Sequence, residues 1–76
     1  MLKQERRKQG LSQRELSDNS SVNYRMIQHY EQEYKDINNA NPKTLYKLAI
    51  ALGVPAYKIV SDKDLIRLMK QERKIR

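Results

Sequence analysis

The chain contains no cysteine. Disulfides and thiolate metal sites are therefore excluded. It has a single histidine, His29, and no acidic cluster in the sequence to join it. Neither a metal site nor a catalytic triad is expected, and with them no enzymatic activity and no cofactor. No window approaches the roughly 20 apolar residues of a membrane helix. The first residues include Lys3, Glu5, Arg6, Arg7 and Lys8 with no apolar stretch behind them, a pattern unlike a signal peptide. Tryptophan and phenylalanine are absent too, so the last segment has no strong anchors for a membrane surface. The 76 residues suffice for one small domain. A thin core is expected, with no room for a large cofactor, and no second domain to sense a small molecule is expected either. The expectation is a soluble, cytoplasmic protein.

What the chain does have is positive charge. Lysine and arginine number 16 against 9 acidic residues, a formal net charge of +7. Such an excess favours a polyanion, either nucleic acid or an anionic membrane surface. Charge alone separates the two poorly. The segment from Lys63 to Arg76 carries much of the excess.

The stretch from Gln13 to Gln32, QRELSDNSSVNYRMIQHYEQ, organises the rest. Ser12 and Glu15 have the spacing of a capping box, which predicts a helix starting at Gln13 and running to Asn19 or Ser20. Leu16 and Ser20 share one side of it. Ser21 and Val22 break the pattern, and Asn23 is placed to cap the next helix, from Tyr24 to about Gln32. A steep turn between two helices often needs a positive φ, which serine adopts at a cost of roughly 1 kcal/mol. At 100° per residue, Met26, Ile27 and Tyr30 fall on one side of the later helix. Tyr24, Arg25, Gln28, His29 and Gln32 fall on the other. Solvated faces usually favour glutamate and lysine pairs, and this one carries arginine, glutamine and histidine instead. These side chains direct hydrogen bonds, and arginine and glutamine read base edges in pairs of bonds. A unit of two helices joined by a tight turn puts its second helix into the major groove of DNA.

Around this unit the reading is helical throughout. Leu2 to Gln9 forms a charged first helix closed by Gly10. Residues 33–41 form a polar loop anchored by Ile37, from which Lys35, Asn38 and Asn39 can reach a DNA backbone. Asn41 and Pro42 open a helix that ends at Gly53, with Leu45, Leu48, Ala49 and Leu52 as its apolar stripe. Val54 and Pro55 start a short fifth helix through Tyr57, Ile59 and Val60. Ser61 or Asp62 caps a last, basic segment with Leu65, Leu68, Met69 and Glu72 on one side.

These pieces, in this order, resemble the lambda-repressor-like helix-turn-helix family, the Cro and phage-repressor or XRE type. The resemblance rests on Arg6, Gly10-Leu11-Ser12-Gln13, Glu15-Leu16, Val22, Ile27, Glu31, Thr44-Leu45, Leu48-Ala49 and Ala51-Leu52-Gly53-Val54, and covers residues 2–60. It implies an all-α, five-helix DNA-binding domain over residues 1–61, followed by a basic amphipathic tail or helix over 62–76. It implies that Tyr24, Arg25 and His29 occupy base-reading positions. Asn23 and Gln28 lie at or beside the backbone, although the outer-face pattern also counts Gln28 among the base readers. Gln13 is implied to touch a phosphate and brace the start of the third helix. Gln32 on the outer face and Lys35, Asn38 and Asn39 in the loop complete the expected backbone contacts. Arg6 and Glu31 match a buried salt bridge between the first and third helices. The chain departs from the pattern at Ser17, Ser20 and Ser21, and Glu33 stands where glycine is usual. Three serines near the turn suggest a marginal core there.

The favoured expectation is a sequence-specific regulator of transcription, a repressor by the resemblance, that binds double-stranded DNA at a palindromic operator as a homodimer. Tyr57, Ile59, Val60, Leu65, Leu68 and Met69 are the apolar residues available for the dimer interface. The alternative is an interaction module such as the antitoxin of a toxin–antitoxin pair, its partner held by the amphipathic tail. A membrane-surface or RNA-binding peptide is the least favoured, since the chain has no glycine-flanked RNA clamp.

Overall fold

The computed structural model describes the backbone of residues 1–74 and the side chains of residues 1–71, and every regular element among them is helical. Ile75, Arg76 and the side chain of Glu72 lie outside the described residues. Five α-helices follow one another: α1 (Leu2–Lys8), α2 (Gln13–Ser20), α3 (Tyr24–Glu31), α4 (Pro42–Leu52) and α5 (Lys63–Lys74). Two 3-10 turns, Ile37–Asn39 and Ala56–Lys58, flank α4.

Local chemistry sets the helix ends. Ser12 Oγ accepts from Glu15 N at 3.0 Å, and Glu15 Oε1 accepts from Ser12 N at 2.8 Å, so the capping box is closed from both sides. Asn23 Oδ1 accepts from Arg25 N at 2.8 Å at the start of α3. Asn41 does the same for Lys43 N, and Asp62 for Asp64 N and Leu65 N. These side chains take up backbone donors that have no partner inside their helix.

The stripe of α4 forms the floor of the core. Leu45, Leu48, Ala49 and Leu52 are all buried, and Leu16 of α2 and Ile27 of α3 pack onto them with no exposed surface. Burying each of these leucine and isoleucine side chains contributes about 1.5–3 kcal/mol. Ile37 anchors the loop after α3 to the same cluster.

The segment expected to be a fifth helix is a single 3-10 turn, and the fifth α-helix is the basic segment after it. The physical reason is length. A helix nucleus fixes several residues for one hydrogen bond, and here Ile59 and Val60 turn inward to near-complete burial just after the turn. The segment from Lys63, in contrast, has three turns and sets Leu65, Ile66 and Met69 against the core. That contact supports a helix which would be marginal alone.

Among the described residues two other than glycine have positive φ: Ser21 at 61° and Glu33 at 63°. Both are exposed and close a helix in the left-handed region. Ser21→Gly and Glu33→Gly are each expected to stabilise the domain by about 0.5–1 kcal/mol, the relieved strain exceeding the extra chain entropy of glycine. Thermal melts should rise by a few degrees, roughly 4 °C for the larger figure. A fall in both variants would show that neither turn is strained.

Candidate nucleic-acid interface

The turn between α2 and α3 is built from serines. Ser17 Oγ donates to Val22 O at 2.6 Å, and Val22 N donates to Ser20 Oγ at 3.1 Å. Both backbone groups of Val22 are thus satisfied by hydroxyls of the preceding helix while its side chain is buried. The serines that suggested a weak core here serve the turn. Ser20 is itself buried, and no buried side-chain nitrogen or oxygen among the described residues lacks a partner.

Behind α3, Arg6 and Glu31 form a two-pronged pair. Arg6 Nε donates to Glu31 Oε2 at 2.7 Å and Nη2 to Oε1 at 2.9 Å. Arg6 Nη1 also donates to Leu11 O at 2.7 Å, and Gln13 Nε2 donates to Glu31 Oε1 at 3.0 Å. The Arg6 side chain is 11% exposed and that of Glu31 2%. The hydrogen bonds to Glu31 raise the Arg6 guanidinium above its ordinary range, against the opposing effect of burial. The Glu31 carboxylate therefore ties α1 and the first residue of α2 to the end of α3, and Arg6 adds the turn before α2. Gln13 thus braces the end of α3 and not its start, because the acceptor within its reach is Glu31.

With Ile27 and Tyr30 buried, α3 turns Tyr24, Arg25, Gln28, His29 and Gln32 outward. Arg25 and Gln32 are exposed, while Tyr24, Gln28 and His29 are half-buried against neighbours. Among the described residues the Arg25 guanidinium has no hydrogen bond or ion pair. Asn23 holds the N-terminal end of α3 and is exposed there. Gln28 Nε2 donates to the Tyr24 hydroxyl at 3.1 Å. The Arg14 guanidinium of α2 lies 4.4 Å from the centre of the Tyr24 ring.

Beyond α3 the loop brings up a further aromatic. His29 O accepts from Tyr34 N at 2.8 Å and from Lys35 N at 3.2 Å, which turns the chain back beside the helix. The Tyr34 ring meets His29 edge-on, 5.9 Å between centres, and is 75% exposed. Lys35 is exposed as well.

Several residues stand elsewhere than the sequence suggested. Asn38 is not free to reach a phosphate. Its Oδ1 accepts from Ser61 N and Asp62 N, both at 2.8 Å, and its Nδ2 donates to Asp36 Oδ1 and Ser61 Oγ. It clasps the loop to the start of α5. Asn39, still exposed, donates to Asp36 Oδ2 at 3.4 Å. Ile59 and Val60 belong to the chain's own core, so they are not available as a surface. Tyr57, Leu65, Leu68 and Met69 keep some exposure, and Leu68 is 59% exposed. Beside them Tyr46 and Ile50 stand out from α4, Ile50 at 78% exposure. Tyr46 and Met69 line two adjoining grooves, one continuing to Ile50 and Tyr57, the other to Leu68.

Arg14, Tyr34, Tyr46 and Ile50 are additions to the sequence-based set. Ile50 and Tyr46 carried a signal, since the α4 stripe leaves them on the opposite face. Tyr34 is an aromatic in a polar loop. Arg14 had no signal, because nothing in the spacing joins it to Tyr24.

Among the described residues no group of three His, Cys, Asp or Glu side chains is placed to hold a metal ion, and no helix is long and apolar enough to cross a membrane. A helix-turn-helix family model matches residues 2–59. No curated protein and no solved structure matches the chain.

Proposed function

Since the chain belongs to the lambda-repressor-like helix-turn-helix family, whose members are DNA-binding regulators and generally not enzymes, we propose that it is a repressor of the Cro or XRE type. It acts by occupying a palindromic operator as a homodimer. The observation that carries this reading is the outer face of α3: hydrogen-bonding side chains held on a helix that Arg6, Glu31 and Gln13 lock from behind.

In this reading residues 1–61 are the DNA-binding unit and 62–76 an attached basic segment. Tyr24, Arg25, Gln28 and His29 read base edges. Gln13, Asn23, Gln32, Lys35 and Asn39 contact the sugar–phosphate backbone, Gln13 from the first turn of α2, where backbone N–H groups favour an anion. Contacts of that kind set register without carrying sequence information. The second copy of the chain packs on the surface formed by Tyr46, Ile50, Tyr57, Leu68 and Met69. Three large apolar side chains there, Tyr46, Ile50 and Leu68, are left well exposed in the single chain. A patch of this kind supports a protein–protein contact. Two copies related by a two-fold axis would read half-sites about 34 Å apart.

Selection from a random duplex library followed by a salt titration tests the reading. A palindromic consensus is expected, bound by two chains per duplex in sedimentation. Affinity should fall steeply with salt, with a logarithmic slope of about −0.9 for each phosphate neutralised by lysine or arginine. A binding constant that does not change with salt, or the absence of any consensus, overturns the proposal. One chain per duplex at saturation overturns the dimer.

A further inference from the structure

Arg14 and Tyr24 come from different helices of the unit and meet across the turn. The guanidinium carbon stands 4.4 Å from the centre of the Tyr24 ring, within the reach of a cation–π contact. One helical turn further along α3, Gln28 Nε2 donates to the Tyr24 hydroxyl at 3.1 Å. The ring is therefore held by its face and by its oxygen. Arg14 is exposed, whereas Tyr24 and Gln28 are half-buried.

The arrangement leaves Gln28 in a defined state. A carboxamide has two N–H donors and one acceptor oxygen. One N–H is committed to Tyr24. The other N–H and Oε1 have no partner among the described residues. That pair matches adenine in the major groove, where N7 accepts and the N6 amino group donates. A free glutamine loses much rotamer freedom when it makes such a contact, a cost that a fixed side chain has already met.

We propose that Arg14 is a positioning residue for base recognition. It holds the Tyr24 ring, Tyr24 holds the Gln28 amide, and Gln28 reads one adenine in each half-site. The inference rests on the operator-binding reading above and names a base for it. Arg14 itself touches no base.

Three variants test the relay: Arg14→Met, Arg14→Lys and Tyr24→Phe. Their dissociation constants are measured on the selected consensus and on variants of each base pair, at two salt concentrations. Gln28→Ala first identifies the base pair that Gln28 reads. Preference for adenine there is expected to fall about tenfold in Arg14→Met, a change within the range of one bidentate base contact. Tyr24→Phe keeps the ring but removes the oxygen, so the Gln28 position should relax along with the base pair that Tyr24 itself reads, with no change of charge. Arg14→Lys keeps a cation over the ring and should retain most of the preference. Melting temperatures should stay near that of the parent. If Arg14→Met weakens every sequence alike and flattens the salt slope, Arg14 is a phosphate contact and the relay is wrong. A base other than adenine at the Gln28 position also overturns it. Those two results leave operator binding itself intact. A library that yields no consensus removes operator binding, and the relay falls with it.

Discussion

Arg6→Ala is expected to destabilise the domain by about 3 kcal/mol or more, the range found when one partner of a buried ion pair is removed. The alanine would leave Glu31, 2% exposed as a side chain, with a single remaining side-chain donor, Gln13 Nε2. It would also strand Leu11 O, which now accepts from Arg6 Nη1. A charged acceptor taken out of water with its partners missing costs far more than the net value of the pair it came from. For a chain of this size the melting temperature should fall by roughly 15 °C. An apolar double replacement, Arg6→Met with Glu31→Leu, removes both charges and should recover part of that loss. It should not recover all of it, because Gln13 Nε2 and Leu11 O then lose their partners. A melt of Arg6→Ala that matches the parent would falsify the view of this pair as the lock behind α3.

The largest effect on DNA binding is expected from Arg25→Ala. Arg25 stands in the first turn of α3, on the face opposite Ile27 and Tyr30, exposed and without a partner among the described residues. In the proposed complex that end of the helix enters the groove most deeply. Its guanidinium can donate to O6 and N7 of one guanine, a contact that discriminates by about 1–3 kcal/mol. Lysine lacks the planar fork, so Arg25→Lys should restore charge without restoring the preference. Arg25→Ala should therefore weaken operator binding and relax one base pair per half-site, with the melting temperature nearly unchanged. Lys35→Ala is the control. It should weaken binding to all duplexes alike, as loss of a phosphate contact does. Equal losses on every single-base variant in Arg25→Ala would make Arg25 a phosphate clamp, and base reading would pass to Tyr24, Gln28 and His29.

The helices and their ends were legible in the sequence because the forces behind them act over three or four residues. Ser12 with Glu15, Asn23 before Tyr24, Asn41 before Pro42 and Gly53 after Leu52 are each a local hydrogen-bond or backbone requirement. The inward faces followed from periodicity for the same reason, and Leu16, Ile27, Leu48 and Leu52 are buried as the pattern required. The pairing of Arg6 with Glu31, separated by 25 residues, followed from the family resemblance and from no local rule.

Tertiary structure alone decided the rest. Whether residues 56–60 form a helix depended on the gain from burying Ile59 and Val60 against the cost of a helix nucleus. The fate of Asn38 depended on Ser61, just before α5, arriving beside it, 23 residues later in the chain. The contact of Arg14 with Tyr24 depends on how two helices are set across a left-handed serine, a relation that no spacing encodes. Sequence by itself determined which faces of α2, α3 and α4 are apolar and which residues cap them, since those are properties of neighbours along the chain. Only the packed structure decided which polar side chains are left free to bind a partner, because that depends on which of them already have one.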